Sequence, residues 1–180
     1  MTKPDSLNIL VDSLTEADYG SYYGTYFNQL PRGMRLSEAL DLNSSLLRDA
    51  LSNMSDSESL YRYAPDKWSI REVIMHLIDC ERIFNYRALR FARQDKTNLT
   101  GFDQDHYAVH ADADAIPLGR LLENFELQRR NTQAMFSSFN AEMMSTKGMA
   151  NDYELSVKAL GFFPLAHETH HVNVMNERYL

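Results

Sequence analysis

The sequence predicts an all-α fold, a bundle of four long helices, and three observations carry that prediction. Glycine and proline number 7 and 5, which is 12 of 180 residues, about half the roughly 12% of average proteins, whereas turn-rich β folds need more of both. Apolar residues recur three and four positions apart along several stretches, the period of a helix with one buried face. Helix start signals stand where two of these stretches begin. A length of 180 residues suits one domain with a full apolar core. The chain is read as a single domain over 1–180, with 1–35 a cover segment and 36–180 the bundle.

Within the cover segment, Asp18 to Pro31 carries Tyr19, Tyr22, Tyr23, Tyr26 and Phe27 together with Gly20 and Gly24, which predicts a short helix or loop laid over the body. Leu36, Leu40, Leu47, Leu51 and Met54 then predict a first bundle helix, ended by the polar cluster Ser52 to Ser59. The second helix has the best start signal, with Ser69 as N-cap, Glu72 as its capping-box partner and Trp68 placed to pack on Val73. It is expected to reach Gln94. The loop from Asp95 to Ile116 holds GFDQDHY (Gly101 to Tyr107) and the acidic residues Asp112 and Asp114, read as solvated. Loops of this length are usually functional or cover something. A third helix begins near Pro117, a residue suited to a first turn, and carries Leu118, Leu121, Leu122, Phe125, Met135, Phe136 and Phe139. A turn region follows from Asn140 to Leu155. The fourth helix starts after Ser156 and runs to Leu180, with a kink expected at Pro164. Four such helices pack naturally as an antiparallel bundle.

Lys+Arg 18 against Asp+Glu 25 gives a formal charge of −7, a field that repels phosphate backbones and anionic lipid. No nucleic acid and no membrane is expected as a partner. The N-terminal stretch has no signal-peptide core, and no window approaches the roughly 18 apolar residues of a span. A soluble, cytoplasmic protein is the expectation. The one cysteine, Cys80, excludes an internal disulfide and any multi-cysteine metal site. Histidine and carboxylate would have to hold a metal.

Three of the six histidines, His167, His170 and His171, fall on the last predicted helix. Residues four apart lie one turn above each other, so the imidazoles of His167 and His171 can reach one metal at about 2.0–2.1 Å. At roughly 100° per residue, Leu160, Phe163, His171 and Val174 lie within about 40° of His167, whereas His170 points about 60° to the other side. HETHH also matches the H-E-x-x-H metalloprotease helix, whose glutamate is a general base. Such a site usually takes its third ligand from downstream, and the sole carboxylate there, Glu177, points about 120° from His171. The protease is therefore the minor alternative. An upstream ligand is the better expectation, and His76, beside the inward stripe Val73, Cys80 and Ile83, is the candidate. Three neutral imidazoles leave a divalent ion its full charge and an open position, where water or a thiol is acidified toward a pKa of about 7. Taken singly, His76 reads equally as a core histidine bonded to a carbonyl, but two inward histidines one turn apart are costly unless a ligand satisfies both. Cys80 reads as packing. Glu168 and His170 read either as groups supporting the site or as solvent-facing positions. No catalytic residue is assigned.

The stretch Tyr61 to Asp95, then GFDQDHY, then HETHHVNVMNERYL resembles the DinB/YfiT-like superfamily. The resemblance spans Tyr22 to Leu180 and is most specific in Trp68, Ser69, Ile70, Glu72, His76, His167 and His171. It implies a four-helix bundle of the DinB/YfiT-like type with zinc or nickel held by His76, His167 and His171 at one end of the bundle, and frequent homodimers. It further implies a metal-dependent enzyme acting on a small-molecule substrate, either a hydrolase or a transferase or isomerase that uses a low-molecular-weight thiol. A non-catalytic metal-binding or structural bundle is the alternative. The substrate pocket is expected between the loop Thr97 to Ile116 and the aromatic N-terminal segment.

Overall fold

A computed structural model describes residues 6–42 and 45–180; residues 1–5 of the expected cover segment and 43–44 of the expected first helix lie outside the described residues. In chain order the helices are α1 (Glu16–Phe27), α2 (Leu36–Ala39), α3 (Leu46–Ala50), α4 (Ile70–Ala92), α5 (Gln104–His110), α6 (Leu118–Ser137), α7 (Ala141–Ser145) and α8 (Val157–Arg178). An antiparallel hairpin, β1 (Lys147–Ala150) and β2 (Tyr153–Ser156), leads into α8. Helices α4, α6 and α8 frame the bundle, and the short helices α2 and α3 fill the fourth position against α8.

The start of α4 follows the capping chemistry. Ser69 Oγ accepts from Glu72 N at 3.1 Å, and Glu72 Oε2 accepts from Ser69 N at 2.8 Å. Helix α8 starts on Ser156, whose hydroxyl accepts from Ala159 N at 3.2 Å. It runs unbroken through Pro164, which is buried. In α1, Asp18 closes a capping box with Thr15 and pairs with Lys158 of α8 at 3.1 Å. Gly20 takes φ 69°, a left-handed value that bends α1 and that only glycine adopts without strain.

Four local expectations are corrected. The helix expected from Leu36 to Met54 is two short ones, because Ser45 restarts the helix as an N-cap and accepts from Arg48 N. The apolar period survives the break, and Leu36, Leu40, Leu47 and Leu51 are all buried. The loop after α4 contains α5, capped by Asp103, whose carboxylate accepts from Asp105 N and His106 N at 3.0 Å each. Asp114 is not simply solvated: it accepts from Ser69 Oγ at 2.5 Å and from Arg62 at 2.6 Å, tying that loop to the start of α4. The turn region before α8 is a hairpin closed by Asn151 and Asp152 at φ 51° and 64°, the pair of left-handed residues that a type I′ turn needs. Leu99 bonds to Met149 and Asn151 and so ties the loop onto this hairpin.

The apolar core falls into two clusters. One gathers Phe84 to Ala92 of α4, Val157 to Ala166 of α8, and the buried face of α1. The other gathers Ile70 to Ile78 of α4, Val172 and Met175 of α8, and Leu118 to Phe125 of α6. Between them, where α4 and α8 pass from one cluster to the other, lies a belt of buried polar side chains: His76, Glu81, Arg129, His167 and Glu168.

Candidate metal centre

His76 is the seventh residue of α4, and His167 and His171 are the eleventh and fifteenth of α8. The site therefore sits in the belt, about two turns in from the end of the bundle where α4 begins and α8 finishes. Helix α4 aims His76 across the bundle while the i, i+4 spacing aims two imidazoles back from α8. His167 Nε2 lies 3.2 Å from His76 Nε2 and 3.1 Å from His171 Nε2. One ligand atom from each of the three falls within 4.8 Å of the others.

A ring nitrogen carries either one proton or one lone pair. His167 Nε2 can satisfy one neighbouring nitrogen by a hydrogen bond, but not two at once. A cation receiving a lone pair from each ring removes the conflict, and a tetrahedral ion with bonds of about 2.0–2.1 Å sets its ligands roughly 3.3–3.4 Å apart, close to these distances. The rings are also held in the form that ligates. Burial pushes His76 down to about 4 and His171 down to about 3, and burial with the neighbouring imidazoles holds His167 well below its ordinary value. The Trp68 ring lies 4.7 Å from the His76 ring, so the residue preceding the N-cap also walls the site.

Glu168 is fully buried and faces away from this cluster. Its Oε1 accepts from Ser45 Oγ and Leu47 N, each at 2.9 Å, so it caps α3 from a distant helix. Its Oε2 pairs with Arg129 Nη2 at 3.1 Å, and Arg129 Nε bonds both oxygens of Glu81 at 3.1 and 3.2 Å. The carboxylate is thus fully engaged. It is neither a solvent-facing residue nor a free general base, and the H-E-x-x-H protease reading loses its central group. Cys80 Sγ lies 3.6 Å from both nitrogens of His76, and burial pushes its thiol up to about 12, so it stays protonated at neutral pH. His170 is half-buried beside Tyr26, with ring centroids 5.1 Å apart.

Two clefts flank the triad. One of about 370 Å³ is lined by Trp68, His170, His171 and Tyr179. The other, about 230 Å³, is lined by His167, Cys80, Arg87, Tyr23, Tyr26 and Phe102, with further aromatic residues. The second lies where the aromatic N-terminal segment meets the loop after α4. Among its residues Arg87 was not anticipated, although its position was signalled: eleven residues after His76, it falls about 20° away on the same helical face. Arg129 was signalled in the same way, by sharing a register with Leu118, Leu121, Phe125 and Phe136 of α6.

The chain matches the profile of the DinB superfamily over residues 39–175. No curated protein matches it. Its fold is similar to that of YfiT from Bacillus subtilis, described as a probable metal-dependent hydrolase with an unusual four-helix bundle topology. The TM-score is 0.70 at 16% identity, covering 91% of this chain and 95% of that one.

Proposed function

Since the chain belongs to the DinB superfamily, we propose that it is a metal-dependent enzyme in which His76, His167 and His171 hold one divalent ion, zinc or nickel, beside a cleft that admits a small molecule. The observation that carries this reading is the meeting of three imidazoles, one ligand atom of each lying within 4.8 Å of the others. A divalent ion held by three neutral imidazoles supplies a Lewis acid with an open position, which acidifies water for hydrolysis or a low-molecular-weight thiol for transfer. The chain's own contribution is to present three lone pairs without competing protons, to tie α4, α6 and α8 together beside the site through the buried Glu81–Arg129–Glu168 network, and to exclude bulk water with Trp68 and the aromatic walls. Imidazole sets of this kind suit zinc, nickel, copper or iron.

Metal analysis of protein purified without a histidine tag tests the site. One ion per chain is expected, falling below a tenth in His76→Ala and His171→Ala with helicity retained. Absence of metal in the wild type, or undiminished metal in both variants, overturns it. Hydrolysis and thiol transfer separate on the cobalt-substituted protein: a sulfur-to-cobalt charge-transfer band on titration with small thiols supports transfer, and no band with any thiol supports hydrolysis.

A further inference from the structure

Among the described residues three arginines are buried, and two of them are neutralised by carboxylates. Arg129 meets Glu81 and Glu168, and Arg71 meets Asp56 at 2.6 Å. The third, Arg87, is only 2% exposed, and among the described residues no carboxylate lies within 4 Å of it. Its neighbours are neutral: the Thr100 carbonyl at 3.4 Å, the Tyr23 hydroxyl and the Phe84 ring at 5.1 Å from the guanidinium carbon. A buried charge without a counter-charge is among the costliest arrangements a protein keeps, and arginine does not escape it by losing a proton. This charge lines the 230 Å³ cleft that also contains His167.

We propose that this cleft binds a small molecule bearing a carboxylate, with Arg87 fixing the carboxylate and the triad receiving the molecule's reacting end. The proposal rests on the metal-enzyme reading and adds the substrate class to it. The planar guanidinium fork matches a carboxylate with two parallel hydrogen bonds. Arg87 is the one Lys or Arg among the residues lining the cleft, so a singly charged group fits better than a phosphate. Tyr22, Tyr23, Phe102 and Phe163 provide flat walls for an apolar body. The volume lies below the roughly 300–1,000 Å³ of pockets for drug-sized ligands, which points to a compact metabolite. The overall charge of −7 disfavours anions at long range, so selection of an anion must be made locally, and Arg87 is placed to make it.

A carboxylate could arrive on a thiol cofactor or on a substrate without sulfur, and two titrations distinguish these sources. On the cobalt-substituted protein, 4-mercaptobutyrate is compared with 4-mercaptobutanol through the sulfur-to-cobalt band. On the metal-free protein, butyrate is compared with butanol by calorimetry. The acid is expected to bind at least tenfold tighter than the alcohol in the wild type, with the preference lost in Arg87→Gln and partly kept in Arg87→Lys, each of unchanged helicity. A preference confined to butyrate assigns the carboxylate to a substrate without sulfur, with Arg87 still its holder, and leaves thiol use to the presence or absence of the band. A preference in the cobalt titration assigns it to the thiol. Equal binding of acid and alcohol by the wild type in both titrations overturns the proposal and needs no variant, while metal content, measured separately, still decides the triad.

Discussion

Single side chains divide here by what they face. Within one turn of α8, His167 and Glu168 point to opposite tasks: one imidazole turns to its two partners, and one carboxylate joins α3, α6 and α8. Glu168→Gln should therefore act on stability before chemistry. It leaves Arg129 half-compensated in the interior, and breaking a buried pair costs about 3–5 kcal/mol, read as a lower urea midpoint, with metal content kept in the folded fraction. An H-E-x-x-H general base would behave in the opposite way, with stability intact and activity gone. The triad was legible because an i, i+4 pair and a capping box are local signals. The partners of Glu168 were not, because Arg129 is 39 residues away on another helix and spacing along one helix says nothing about what crosses from the next. The inward register of Arg129 and Arg87 was still a readable sign, since a charge on an apolar stripe requires either a counter-charge or a ligand.

Elements show the same division between local and long-range information. The long helices α4, α6 and α8 follow from cap chemistry and apolar period, and their starts at Ile70, Leu118 and Val157 agree with Ser69, Pro117 and Ser156. The hairpin was harder to read because strands of four residues, KGMA and YELS, are too short for alternation to stand out; only Asn151-Asp152 marks it. Its placement depends on one close approach. A Cβ on Gly148 would sit 2.1 Å from the Phe91 ring of α4. Gly148→Ala should cost about 1–3 kcal/mol by forcing the ring or the strand aside, measured as a fall in denaturation midpoint, and an unchanged midpoint would show that the hairpin does not rest on α4. Because Leu99 hangs on this hairpin and Thr100 contacts Arg87, the same substitution should also loosen the cleft that Arg87 lines.

At the scale of the molecule, the buried histidines make stability depend on pH. An unfolded chain titrates histidine near 6.5, whereas folding holds His76 near 4 and His171 near 3. As pH falls, the unfolded state takes up protons first, so stability is full above about pH 7 and declines as pH drops toward the folded values. Urea midpoints of the metal-free protein between pH 7 and 5 should fall, and His171→Ala should flatten the decline; an identical slope in that variant would remove the imidazoles from the account. The polar belt has a further bearing on the whole. Helices α4 and α8 each cross it, with one apolar block on either side, so the three imidazoles keep their spacing only while the two blocks keep their mutual setting. The histidine cluster works as a keystone between two half-arches: whatever grips the triad also clamps the halves, and a strain that slides one half along the other is felt first at the three imidazoles.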